Sequence, residues 1–146
     1  MLGRLFGWWP KGKSRRRKHK KRGSLALNPS QVSVIDADTI KIGAESIRLV
    51  GFDAPELGRA KSEHEYNMGV AATKRLQELL GESDEVRMQR LRDADIHGRS
   101  LAHLYIDGRD VADIAVEEGW GVRFDGDRRR SDEMPDWDSM RYPQRR

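Results

Sequence analysis

A chain of 146 residues, 36% charged and 36% hydrophobic, has room for one folded domain and flanking segments. It has no cysteine, which excludes disulfides and thiolate metal sites, and no apolar run nears the ~20 residues needed to span a bilayer. The net charge of +4 is uneven: residues 1–22 carry ten Lys or Arg and no acid, which leaves −6 on residues 23–146. The folded part is therefore acidic, which argues against a domain that binds nucleic acid by charge alone.

Residues 1–28 read as a basic disordered tail, since the like-charge block at 11–22 repels itself. Such a block can be a solvated arm, a nucleic-acid attachment or, with Phe6, Trp8 and Trp9, a tether to an anionic membrane surface. Arg4 interrupts the apolar cluster of Leu2, Leu5, Phe6, Trp8 and Trp9, so no secretory signal is expected. The compartment stays open, with the cytoplasm as the default, and a monomer is expected.

Between Gln31 and Gly51, β-branched residues at short alternating spacing predict strands around Val32, Val34 and Ile35, around Ile40 and Ile42, and around Ile47, Leu49 and Val50. Pro55 ends this run. A helix is expected over 63–80, with Tyr66, Val70, Thr73, Leu76 or Gln77, and Leu80 along one face and Gly81 as its stop. Strands follow at 85–91 and 101–106, the second closed by a turn at Asp107 and Gly108. A short helix over 111–118 ends at Gly119. These elements predict a folded domain over 29–125 and a polar C-terminal tail over 126–146. The alternation of strands and helices makes a small, mainly β, barrel-like α+β domain.

Two acids two residues apart, Asp36 and Asp38, sit in the string Val34, Ile35, Asp36, Ala37, Asp38, Thr39, Ile40. On an extended chain they share a face, an unfavourable pairing unless a cation or solvent intervenes. Oxygen donors of this kind select hard cations such as calcium or magnesium, although the string alone is more often a turn or strand end. Arg48 lies inside an apolar strand, with Asp53 and Glu56 just past its end. A guanidinium there either pairs with a neighbouring acid or snorkels to solvent, or it forks onto a phosphate. Arg99 follows Gly98 in a turn that alone would be unremarkable.

Together these blocks are specific. The string just given, then Arg48, Leu49, Val50, Gly51, Phe52, Asp53, Ala54, Pro55, Glu56, then His97, Gly98, Arg99, Ser100, Leu101, Ala102, His103, Leu104, Tyr105, resemble the staphylococcal nuclease family over roughly residues 31–124. The resemblance implies an OB-fold five-stranded barrel with two or three helices. It also implies endonucleolysis of DNA and RNA with one calcium ion, leaving 3′-phosphate and 5′-hydroxyl ends. By resemblance, Asp38, Asp53 and the backbone carbonyl of Ala54 hold the metal, and Asp36 supports it. Glu56 activates or positions the attacking water, while Arg48 and Arg99 bind the phosphate and stabilise its five-coordinate state. Ala37 stands where the family usually has Gly, and Ala54 where Thr is common. His97 stands where Tyr is common and is a candidate substrate contact. Phe124, in a stretch less aromatic than the family's, offers a stacking face without a hydroxyl. The rival expectation is an inactive or weak OB-fold nucleic-acid-binding module, but relatives of that kind typically lose these acids and arginines.

Overall fold

In the computed structural model, which describes residues 23–124 and 135–141, alternating side chains carry one face of each strand into a shared core. The strands are β1 (Leu25–Leu27), β2 (Val32–Asp36), β3 (Thr39–Ile42), β4 (Glu45–Leu49), β5 (Phe52–Asp53), β6 (Val86–Ala94), β7 (Ser100–Ile106), β8 (Arg109–Asp110) and β9 (Val122–Arg123). The main sheet runs β1-β6-β7-β4-β3-β2, with β8 on β7, and β5 pairs separately with β9. Only β4 and β7 are parallel among these pairings. The sheet curls into a half-barrel of the OB type, and the expected mainly-β α+β class holds.

Helix α1 (Glu63–Gly81) begins where Ser62 Oγ accepts the Glu65 N–H at 3.0 Å, satisfying one of the helix's first donors. Its buried face carries Glu65, Met68, Gly69, Ala72, Thr73, Leu76 and Leu80. The expected stripe is right at Thr73, Leu76 and Leu80 but wrong at its start, because Tyr66 and Val70 are 48% and 43% exposed. The core there admits Gly69 and Ala72 rather than the larger residues, so packing distance overrides hydrophobicity. Helix α2 (Val111–Glu118) is capped by Asp110, whose carboxylate accepts the Ala112 N–H, and ends at Gly119 in the left-handed region at φ 80°. Asp107 (φ 51°) and Gly108 (φ 81°) make the tight β7–β8 turn that the sequence marks.

Phe52 and Trp120 meet edge to face at 5.7 Å in the centre of the core. Strand β6 runs to Ala94, beyond the expected end at Leu91, with its register against β7 shifting between Arg90 and Ala94. The stretch read as N-terminal tail includes β1, which pairs with β6. Within the stretch read as C-terminal tail, Trp137 is 5% exposed, and Asp138 and Met140 bond to Ser62 and His64 at the start of α1. The basic block, Phe6, Trp8 and Trp9 lie outside the described residues. Among the described residues no helix is long and apolar enough to cross a membrane.

Candidate active site

Strand β2 slips register at Asp36, and the chain then turns through Ala37 and Asp38 into β3. Ala37 is fully buried and does not occupy the left-handed region, so the methyl that replaces the expected glycine is accommodated. The Asp38 carbonyl accepts the Leu49 N–H at 2.8 Å, which pins this turn to the end of β4. Gly51 (φ 97°) then reverses the chain into β5, where a Cβ would stand 2.8 Å from Ala112 Cβ.

This folding brings Arg48 between two carboxylates. Its Nη2 donates to Asp53 Oδ1 at 2.8 Å and to the Phe52 carbonyl at 3.2 Å. Its Nη1 lies 3.3 Å from Asp38 Oδ2 and donates to the Leu49 carbonyl. With a side chain only 14% exposed, the guanidinium is fixed by backbone carbonyls as well as by charge.

Arg99 reaches the same corner from the start of β7, the parallel neighbour of β4. Gly98 (φ 75°) turns the β6–β7 connection. Asp95 accepts the Arg99 N–H at 2.8 Å with Oδ1 and Arg99 Nε at 2.6 Å with Oδ2. Arg99 Nη1 is 3.4 Å from Thr39 Oγ1, and that hydroxyl donates to Asp38 Oδ1 at 3.0 Å. Thr39 therefore joins the Arg99 side to the Asp38 side. Burial would push the Asp95 carboxyl up, but bonds from the Arg99 backbone and side chain outweigh it and hold it below the usual range.

The remaining acids press on one another. Burial drives the Asp38 carboxyl upward, the Asp36 charge adds to this, and Arg48 offsets only part. The Ala54 N–H also bonds to the Asp38 carboxylate. Glu56 is pushed upward by burial, then by the charges of Asp38 and Asp36. Asp36 Oδ1 accepts the Leu57 N–H at 3.2 Å, next to Glu56.

A raised folded pKa means that Asp38 takes up a proton more readily folded than unfolded, so its charge destabilises the metal-free protein at neutral pH. Asp38→Asn should therefore stabilise the protein in chelator at pH 7 by about 1 kcal/mol, or ~4 °C. The gap between variant and wild type should close as the pH falls toward the unfolded value of 3.8. Thermal denaturation across pH checks this, and an Asp38→Asn protein less stable than wild type at pH 7 would contradict it.

Asp38 and Asp53 share a single guanidinium and present only oxygen, a donor set that suits a hard cation. Among the described residues no three His, Cys, Asp or Glu side chains are grouped to hold an ion. Asp38 and Asp53 could therefore offer an ion two carboxylates, with the rest of its shell from other oxygen donors.

The sequence model of the family described as Staphylococcal nuclease homologue matches residues 46–141. The chain belongs to the staphylococcal nuclease family. Endonuclease YncB of Bacillus subtilis (strain 168) is 26% identical over 144 residues, covering 85% of this chain and 68% of the relative. Together these support a function at the level of the nuclease family.

The match to the staphylococcal nuclease family includes Arg48, Asp53, Ala54, Glu56 and Arg99, and it runs on through Trp137. The structure brings Asp38, Arg48 and Asp53 into contact, joins Arg99 to them through Thr39, and sets Glu56 within the field of Asp38 and Asp36. His97 is exposed at its turn, with its N–H donated to Asp95 Oδ1. Phe124 follows β9, its N–H donated to the Gly51 carbonyl. Sequence reasoning missed Asp95 as the latch of Arg99 and Thr39 as the bridge. The four-residue spacing of Asp95 and Arg99 across Gly98 was a usable signal for the first. Nothing local signals the second, because Thr39 and Arg99 are 60 residues apart.

Proposed function

We propose that the protein is an endonuclease that hydrolyses phosphodiester bonds of DNA and RNA with one calcium ion, leaving 3′-phosphate and 5′-hydroxyl ends. The observation that carries this reading is the convergence of two clamped arginines, the buried Asp38 and the half-buried Asp53 on one corner, beside a carboxyl raised by burial and then by its acidic neighbours. Asp38, Asp53 and the Ala54 carbonyl would hold the calcium, which supplies positive charge to a phosphate oxygen and to the attacking water. Arg48 and Arg99 fork onto the remaining phosphate oxygens and neutralise charge as phosphorus becomes five-coordinate. Glu56 accepts the proton of the attacking water, whose oxygen bonds to phosphorus as the P–O5′ bond breaks. The departing oxygen takes a proton from solvent. A carboxyl pushed upward is a better base than an ordinary one at neutral pH.

The test is cleavage of end-labelled single-stranded DNA and RNA oligonucleotides with calcium or with chelator. Cleavage with calcium, loss of cleavage with chelator, and a drop of about 10²-fold or more in Glu56→Gln are expected. Oligonucleotide binding without cleavage would favour the non-catalytic binding module instead. Cleavage indifferent to both chelator and Glu56→Gln would remove the assignment of the site.

A further inference from the structure

Glu65 is a buried carboxylate with no part in the chemistry just described. It is 8% exposed and is the third residue of α1. An acid at this position ordinarily bonds back to the N–H of the capping residue. Here the cap is Ser62, yet Glu65 Oε2 accepts the N–H of Lys61 at 2.8 Å, one residue further out. The bond therefore reaches off the helix onto the end of the loop at 54–61, which carries Glu56.

The same helix holds the loop's beginning. A Cβ on Gly69 would lie 3.0 Å from the Pro55 carbonyl oxygen and 3.1 Å from that of Glu56, so the loop backbone rests directly on α1. Between these two points the Leu57 N–H is tied to Asp36.

We propose that Glu65 is a positioning residue: with Gly69 and Asp36 it clamps the loop that aims Glu56 at the reacting phosphate. This rests on the reading of Glu56 as the carboxylate that accepts the water's proton. A misplacement on the order of 1 Å at such a group can cost ~10²-fold in rate, so a loop merely tethered by its ends would not suffice.

The test compares wild type, Glu65→Gln and Glu65→Ala in the full chain. Amide hydrogen exchange at Leu57 and Lys61 is read beside kcat and KM on a short oligonucleotide in saturating calcium. In wild type both amides should be protected; open exchange there would already overturn the clamp. In Glu65→Ala both should exchange at least ~10-fold faster, and kcat should fall by roughly 10-fold with KM within about twofold. Glu65→Gln keeps a carbonyl acceptor for the Lys61 N–H and should recover most of both effects. Should Glu65→Ala fail to fold, Glu65→Asp, whose carboxylate is one methylene shorter and falls short of the Lys61 N–H, takes its place with the same expected readouts. A lower Tm in Glu65→Ala with unchanged Leu57 exchange and unchanged kcat would show a helix cap only and overturn the proposal. If the wild-type protein cleaves nothing, the assigned chemistry fails, while the exchange rates still decide the clamp.

Discussion

Arg48→Ala is expected to lower kcat by about 10³-fold, the upper range for removing one preorganised group that stabilises transition-state charge. The reason is the degree to which Arg48 is fixed before substrate arrives. The carbonyls of Leu49 and Phe52 hold its guanidinium in plane, and Asp53 and Asp38 hold its charge. The guanidinium's position is thus set in advance, and a phosphate takes over the donors that face Asp38 and Asp53 in its absence. Arg48→Lys should recover little, leaving a loss of roughly 10²-fold, because one ammonium cannot satisfy two carbonyls and two carboxylates spread along a planar fork. Removing the arginine also leaves two mostly buried acids without their shared counter-ion, so Arg48→Ala should lose about 2–3 kcal/mol of stability in chelator. Calcium should restore part of that loss by replacing the missing charge. Single-turnover cleavage and calcium-dependent melting check both arms. A variant that keeps its rate within about threefold of wild type would show that Arg48 is only a structural counter-ion.

Glu118→Ala should give the largest loss of stability, about 3–4 kcal/mol, with little change in chemistry. Glu118 is 6% exposed and ends α2. It takes Arg75 Nε at 2.7 Å and Nη2 at 2.9 Å in a two-pronged pair, and its Oε1 also accepts the Trp120 indole N–H at 2.9 Å. One carboxylate thus joins α1, α2 and the aromatic core. Truncation strips Arg75 of its main partner, orphans a buried indole donor and opens space between the helices. For a domain of roughly 100 residues the expected fall in Tm is on the order of 15 °C. Glu118→Gln keeps an acceptor for Trp120 but removes the charge, and should fall about midway. Below the melting range, kcat of Glu118→Ala should stay within about threefold of wild type. A Tm change under ~3 °C would mean that surrounding groups already carry the load.

Reading along the chain was sufficient where the signal is local. The strands around Ile40 and Ile47, the stop of α1 near Gly81, the Asp107–Gly108 turn and the Gly119 cap all follow from side-chain shape and backbone freedom within a few residues. The order of Asp38, Arg48, Asp53, Glu56 and Arg99 was enough to suggest one site, because β3, β4 and β5 are consecutive and short turns keep their ends together.

What needed the tertiary structure is what depends on distance between remote segments. Tyr66 and Val70 fit a helical stripe, yet α1 buries Gly69 and Ala72 instead, and at Gly69 the backbone of Pro55 and Glu56 leaves no room for a side chain. Trp137 reads as part of a polar tail but is buried, since the contact that covers it belongs to a helix some seventy residues earlier. Spacing and β-branched runs thus determined most of the elements, and the resemblance of three sequence blocks to a known family picked out the acid and arginine set. The tertiary structure alone decided how that set is held: Arg48 between two acids, Arg99 joined through Thr39, and Glu56 on a loop resting on α1. A hydrogen bond depends on ångström separations, and those are set only when the whole sheet has curled and the helices have packed against it.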